Sequence, residues 1–411
     1  MTYLKNDIKL LNWLVFLIPF SLVLGSFILN LNLILISILL ILHFIFNEEL
    51  RKYIKFKWVK TALAILIYLL ISSFINDANV HSLVRSLGFI KFISLSLALL
   101  IVFENDYRNF LFFLKVLLLV TIFVIIDSLI QFFFGTNLFG NDYQNNRLSS
   151  IFGDEYVVGA FLAKTGFLVL MLPFLVIKNE KLKQSLIFLI LISFMSIILL
   201  SGERMASILF ITGILLFYFI KSFKNFKNFF YIIITTCVII LVFSSNSDVN
   251  KRFSEIAHEK YGLTKDLKIR NSVWGAHFLT AYEIFKDNPL FGVGPKNFRL
   301  EAAKDKYDNI NSTRANQRWS THPHNIVLEI LAEQGIIGMI LFLNLLFHIL
   351  RGLSLSKEIN LLVLISISIF LWPLGTSGSI FTTWNGSFMW INFAILLFIK
   401  EKFKTDKVNL F

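Results

Sequence analysis

Two short segments carry residue types that could do chemistry together. Thr321-His322-Pro323-His324-Asn325 directly precedes a long apolar run starting at Ile326. Proline suits the first turn of a helix, and the backbone N–H groups of that turn point outward unpaired. The positive helix end disfavours imidazolium, so His324 is expected to stay neutral, as a general base must if it is to accept a proton from a hydroxyl. The bland alternative is an interfacial histidine that bonds locally. Two histidines one residue apart, with Glu329 and Glu333 following, also raise zinc. Those carboxylates lie one and two turns deeper, however, and no third histidine is near in sequence.

The second segment, Ser201-Gly202-Glu203-Arg204, reads as a tight turn between two apolar runs. It puts Arg204 at a helix N-terminus, where a guanidinium fork and helix-end amides can converge on one anion, phosphate being the natural choice. Pairing with Glu203 or with lipid headgroups is the alternative. Arg147 through Glu155 forms a charged turn immediately above another run. Arg270 opens a stretch in which Trp274, Phe278, Ala281 and Phe285 recur at helical spacing, ended by Asn288-Pro289.

The elements that must position these groups are set by composition. Of 411 residues 56% are hydrophobic and only 16% charged, with a mean hydropathy of +0.72, which leaves too little polar surface for a soluble globule. Six prolines among 46 phenylalanines leave the apolar mass compatible with continuous helix, and no ten-residue alternation suggests a barrel. The single cysteine, Cys237, excludes an internal disulfide and a cysteine-rich metal site. Apolar runs able to cross ~30 Å of hydrocarbon fall roughly at 11–29, 33–46, 61–75, 87–103, 110–134, 157–177, 186–200, 206–220, 229–243, 326–350, 361–374 and 381–399. The expected fold is therefore an all-α polytopic membrane protein of about twelve transmembrane helices. It divides into helices 1–9 over residues 1–243, a helical external loop over 244–323, and helices 10–12 over 324–411.

The formal charge of +13 would suggest nucleic acid in a soluble chain, but here it first reports sidedness. Lys5 and Lys9, the Arg51–Lys60 cluster, Lys178–Lys183, Lys221–Lys227 and Lys400–Lys407 all fall on one side if the N-terminus is cytoplasmic. Both termini are then cytoplasmic, the first run is a retained span, and no nucleic-acid partner is expected. Arg147 and Arg204 lie on the other side, against the bias, and so call for another reason.

Taken together the pattern resembles the O-antigen ligase and O-antigen polymerase superfamily of bacterial envelope glycosyltransferases. His324-Asn325, nine residues, Gly335, two residues, Gly338 fits the histidine signature of the ligases at the mouth of the helix after the large periplasmic loop. Ser201 to Arg204 looks like the turn carrying the family's functional arginine; the turn Arg147 to Glu155, leading into Gly159, and Asn288 to Pro295 are similar to further family segments, in the same order. The resemblance implies a fold related to the C-type membrane glycosyltransferases. It further implies a polyprenyl-diphosphate-linked glycan as donor and lipid A-core, or another glycan in the polymerases, as acceptor. The reaction would run at the periplasmic face of the inner membrane, inverting the anomeric centre, with no metal or other cofactor. His324 would be the catalytic base and Arg204, Arg270 and Arg147 the pyrophosphate ligands, supported by Glu203, Asn325, His322 and Glu155. A transporter for lipid-linked sugars is the rival from another class; Asp127 and Lys164 are the buried-looking charges it would need in mid-membrane.

Overall fold

The computed structural model describes residues 2–76, 80–222, 228–245, 271–354 and 358–402. Among these the chain is helical, with two isolated bridges, Thr136 with Asp142 and Gln144 with Arg147. The helices are α1 (Thr2–Phe16), α2 (Ile18–Ser21), α3 (Ser26–Phe46), α4 (Lys57–Ile75), α5 (Val80–Leu87), α6 (Ile90–Asn105), α7 (Tyr107–Phe134), α8 (Val158–Val169), α9 (Met171–Val176), α10 (Glu180–Leu200), α11 (Arg204–Ser222) and α12 (Asn228–Ser245), followed by α13 (Val273–Asp287), α14 (Phe298–Glu301), α15 (Ile326–Leu350), α16 (Glu358–Phe370) and α17 (Thr383–Lys402).

Eight stretches are long and apolar enough to cross a membrane: α3, α4, α5 with α6 from Ser82, α7, α8 with α9, α10, α11 and α15. Lys9–Ser21, Phe230–Ile239 and Glu358–Phe370 are apolar but shorter. At 1.5 Å per residue the 13 residues of α16 extend only about 20 Å, so among the described residues the run read at 361–374 yields a helix short of a full crossing. The first run also divides differently from expectation. Gly25, at φ +105°, reverses the chain after α2, so residues 26–29 join α3 rather than extend α1.

Two helices form the centre. Phe92 to Phe103 of α6 and Gly386 to Ile399 of α17 are buried without interruption, and they pack on each other, Ser96 Oγ donating to Trp390 O at 2.7 Å. A helix apolar on every side is one enclosed by others. On the periphery, Leu31, Ile34, Ile38, Ile41 and Phe46 of α3 and Leu119, Ile122, Ile126 and Phe133 of α7 are exposed, an apolar surface suited to lipid. At the end bearing the C-termini of α15 and α17, a depression of about 440 Å³ is lined by Lys57, His348, Arg351 and Lys400 with Glu104 and Glu401. At the opposite end a second, smaller apolar cluster (Ala281, Ile284, Val293, Phe298, Ala302, Tyr307) closes over Ala332 of α15.

That closure exploits a break in α15. Gly335 sits at φ 63°, ψ −166° inside the helix, and the segment 288–298 fits into the gap. Val293 N and Gly294 N donate to Ala332 O and Glu333 O at 3.0 and 2.8 Å, while Ile336 N and Ile337 N donate to Pro289 O and Leu290 O at 2.8 and 3.3 Å. Tyr68 of α4 takes the remaining carbonyl, its hydroxyl donating to Gln334 O at 2.5 Å. The break exposes backbone groups that hydrocarbon could not satisfy, and the segment satisfies them. Gly335 and Gly338, the two glycines of the ligase-like spacing, therefore differ in role. A Cβ on Gly335 would strike the backbone carbonyl of Leu290, and one on Gly292 the backbone of Glu333 and Gln334.

Gly335→Ala combines a left-handed backbone with a backbone collision and is expected to lower stability by several kcal/mol, on the order of 2–4. Gly140→Ala, left-handed but with nothing within 4 Å of its Cβ, isolates the backbone term and should cost about 1 kcal/mol. Thermal unfolding of the detergent-solubilised proteins checks this; equal losses at the two positions would show that the collision does not matter.

Candidate active site

The mouth of α15 is built by its cap. Asn325 accepts from Val327 N and Leu328 N, both at 3.1 Å, and its Nδ2 donates to Pro373 O at 2.7 Å and Gly375 O at 3.3 Å. One side chain thus closes the helix end and fastens the irregular segment between α16 and α17 across it. His324 holds φ +57°, a strained conformation for a residue with a Cβ, and its carbonyl accepts from Ser377 N at 2.8 Å. Asn325 is thus a structural cap; it does not line the cavity described below.

The strained turn delivers His324 into an aromatic stack. Its ring lies 4.0 Å from His322, 5.3 Å from His277, nearly parallel to the latter, and 4.7 Å edge-on to Trp274. Nε2 meets Ser320 Oγ at 3.2 Å. Burial, followed by repulsion from His322, His277 and Lys296, pulls His324 down to about 3. His322 is pulled down to about 4 by burial and Lys296, against a hydrogen bond to the Ser377 backbone. His277 is also lowered by burial. The ring is neutral, as the sequence suggested, but burial rather than the helix end is the leading cause.

Beneath the histidines, the two carboxylates that the sequence offered to zinc are engaged elsewhere. Glu329 pairs with Lys296 Nζ at 3.5 Å and accepts from Ile380 N at 3.2 Å. Glu333 accepts from Lys296 N at 2.8 Å, and Lys296 Nζ donates to Ser379 Oγ at 2.7 Å. Among the described residues no group of three or more His, Cys, Asp or Glu is arranged to hold a metal ion.

A cavity of about 410 Å³ opens before this stack, lined by His322, His324, Trp274, Glu155, Lys164, Ala160, Met205, Ala206, Ser377 and Asn385. It joins the two helix mouths that the sequence singled out. Arg204 is the first residue of α11, half-buried, and its next two neighbours form cavity wall. Glu203 accepts from Gly159 N at 2.6 Å and Ala160 N at 3.2 Å, so it serves the start of α8, and burial pushes it up to about 7 against the pull of Arg147 and Lys164. Arg147 rests on the Tyr156 ring at 4.6 Å and donates to Tyr156 O at 2.9 Å. Its loop is anchored from below: Asp127 accepts from Asn137 Nδ2, Leu138 N and Ser150 Oγ, and Gln131 Oε1 from Ser149 N and Ser150 N. Arg270 lies outside the described residues.

His277 and Asn385 escaped the sequence reading. His277 falls three residues after Trp274, on one face of α13, so helical spacing from Trp274 could have found it. Asn385 sits in a run that reads as plain membrane helix, and its position at the cavity comes from the irregular segment before it.

Fold and site together define a multi-pass membrane protein with a cavity bordered by His322, His324, Lys164 and the first turn of α11. Residues 186–343, from α10 to most of α15, match the family model described as O-antigen ligase, a match that supports the O-antigen ligase and polymerase superfamily. Members are glycosyltransferase-type enzymes acting on lipid-linked glycans in a membrane. No curated protein matches the chain.

The lowered histidines fix a pH dependence. Unfolded imidazole titrates near 6.5, whereas His322 and His324 hold out to about 4 and about 3 in the fold. The unfolded state takes up these protons first, so their contribution is full above 6.5 and is lost as pH falls towards 3. Glu203 works oppositely, stabilising as pH falls from about 7 to its ordinary 4.5. The His322→Gln/His324→Gln double variant should therefore lose less melting temperature than the parent between pH 6.5 and 4.5. Parallel curves would show that the two rings titrate alike in both states.

Proposed function

We propose that this protein is an O-antigen ligase-type glycosyltransferase, moving a glycan from a polyprenyl-diphosphate carrier to an acceptor hydroxyl of lipid A-core at the periplasmic face of the bacterial inner membrane. The observation that carries this reading is the shared cavity. His324 from the mouth of α15 and the first turn of α11, which begins at Arg204, border the same space. The spacing of His324 to Gly335 and Gly338 favours ligase over polymerase, in which the acceptor would be a second lipid-linked repeat.

In this reading the acceptor oxygen attacks the anomeric carbon from the face opposite the diphosphate, its proton passes to His324, and the C1–O bond breaks with its electron pair leaving on the diphosphate. Inversion follows from that geometry. Arg204 and Arg270, with Arg147 at the rim, offset charge that grows as the bond breaks, which stabilises the transition state more than the ground state. An imidazole held near 3 is a weak base. A diphosphate beside it favours the charged ring and raises that value, so basicity arrives together with the donor. His322 and Glu155 line the same wall, and Glu203 fixes the start of α8. No metal enters the scheme.

Purified protein given lipid-linked repeat units and lipid A-core should form the ligated product in the presence of EDTA, and His324→Ala and Arg204→Ala should abolish transfer while inserting normally. Arg204→Lys should also be poor, because an ammonium lacks the planar fork. Wild-type transfer by either alanine variant rejects its assigned role, and product formed between two repeat units instead makes the enzyme a polymerase. The acid limb of kcat should lie at higher pH than that of kcat/KM, since only the former reports the donor-bound ring; coincident limbs would exclude donor-induced basicity.

A further inference from the structure

We propose that Lys164, on the second turn of α8, is a further ligand for the donor's diphosphate. The inference rests on the glycosyltransferase reading and deepens it. Lys164 lies outside the segment matched by the family model, so the assignment comes from the geometry of this chain.

Lys164 lines the same cavity as His322 and His324. Its Nζ donates to Asn385 Oδ1 at 2.5 Å and sits 4.3 Å from the Trp384 ring, with Phe370 and Phe388 each at 5.5 Å. An ammonium has three donors. Asn385 takes one, and among the described residues no other acceptor meets the rest and no carboxylate pairs with it. Glu203 is near enough to be felt electrostatically, but its oxygens face the amides of Gly159 and Ala160. A cation inside a membrane helix is costly unless paired, and one without a counter-ion is a functional group by default. Aromatic faces and one amide replace only part of its hydration.

Lys91 provides the contrast. It is another lysine of the helical body, but its Nζ donates to both Asn30 Oδ1 and Thr383 Oγ1, each at 2.8 Å, and it borders no cavity described above. Lys164 instead presents its charge to a space of about 410 Å³ that also holds His324 and the start of α11. A phosphoryl oxyanion there completes the donor set of Lys164. As the C1–O bond breaks, the departing diphosphate takes the electron pair and Lys164 stays protonated, stabilising the added charge. Acceptors such as lipid A-core also carry phosphates, so the source of the oxyanion must be distinguished by experiment.

The test uses the full chain in nanodiscs and measures binding, together with the rise in melting temperature, for polyprenyl diphosphate, polyprenyl monophosphate and phosphatidylglycerol. Wild type should prefer the diphosphate. Lys164→Gln should bind it about tenfold more weakly, Lys164→Arg should retain most of the affinity, and Lys91→Gln should bind as wild type. Without ligand, Lys164→Gln should melt no lower than wild type, because it removes an uncompensated cation; a merely structural lysine would give a lower melting point. Asn385→Asp supplies the missing counter-ion and should weaken diphosphate binding while raising the melting point, which keeps the test informative even if Lys164→Gln folds poorly. Undiminished diphosphate binding by Lys164→Gln and Asn385→Asp overturns the role of Lys164 and leaves the enzyme reading standing. Failure of wild type to bind any polyprenyl diphosphate sinks the enzyme reading itself, and equal binding of phosphatidylglycerol would make the site one for general lipid phosphate.

Discussion

A helix inside hydrocarbon cannot be interrupted unless something else accepts and donates its lost hydrogen bonds, and the structure is organised around one such interruption. At Gly335 the ladder of α15 opens, and the segment 288–298 enters it with two donors and two acceptors. Much of the site follows from that insertion. It carries Lys296 to a position between Glu329 and Ser379, so that the charge of the buried carboxylate is met from the loop. It also anchors the cap formed by α13, which supplies Trp274 and His277 to the stack around His324. The side of the cap remote from α15 could vary widely without disturbing this, because the contact is made through backbone.

The second organising feature is the uneven distribution of charge around the cavity. Three carboxylates of the surrounding elements are engaged, Glu203 by the amides of α8 and Glu329 and Glu333 by Lys296 and neighbouring backbone, while Glu155 lines the cavity itself. The imidazoles are held neutral by burial and mutual repulsion. Lys164 has no carboxylate partner among the described residues. Asp127, which a transporter would use as a mid-membrane carrier of charge, instead holds the loop 137–150 in place through three hydrogen bonds.

Much of this was legible in the sequence because a membrane protein writes its helices in composition. The runs that became α4, α7, α10, α11 and α15 could be read from hydropathy alone, and the helix mouths at Arg204 and His324 from their charge and their proline and glycine neighbours. What hydropathy could not supply was the function of small residues. Gly25 reads as an unremarkable member of an apolar run and Gly335 as one position of a spacing signature, yet one reverses the chain and the other breaks a helix. A glycine's φ depends on what packs beside it, and for Gly335 that partner lies more than forty residues earlier in the chain, at Leu290.

The sequence alone therefore determined that the chain is a helical membrane protein, because burial of apolar side chains and the pairing of backbone groups are demands each local segment makes for itself. Only the tertiary structure decided that the mouths of α11 and α15 share a cavity, that Asn325 is a cap, that Glu329 and Glu333 belong to Lys296, and that Lys164 lines the cavity with no carboxylate paired to it among the described residues. Those outcomes depend on which distant group fills the neighbouring position, and charge and hydrogen-bond partners across a fold are not encoded in the spacing of residues along one helix.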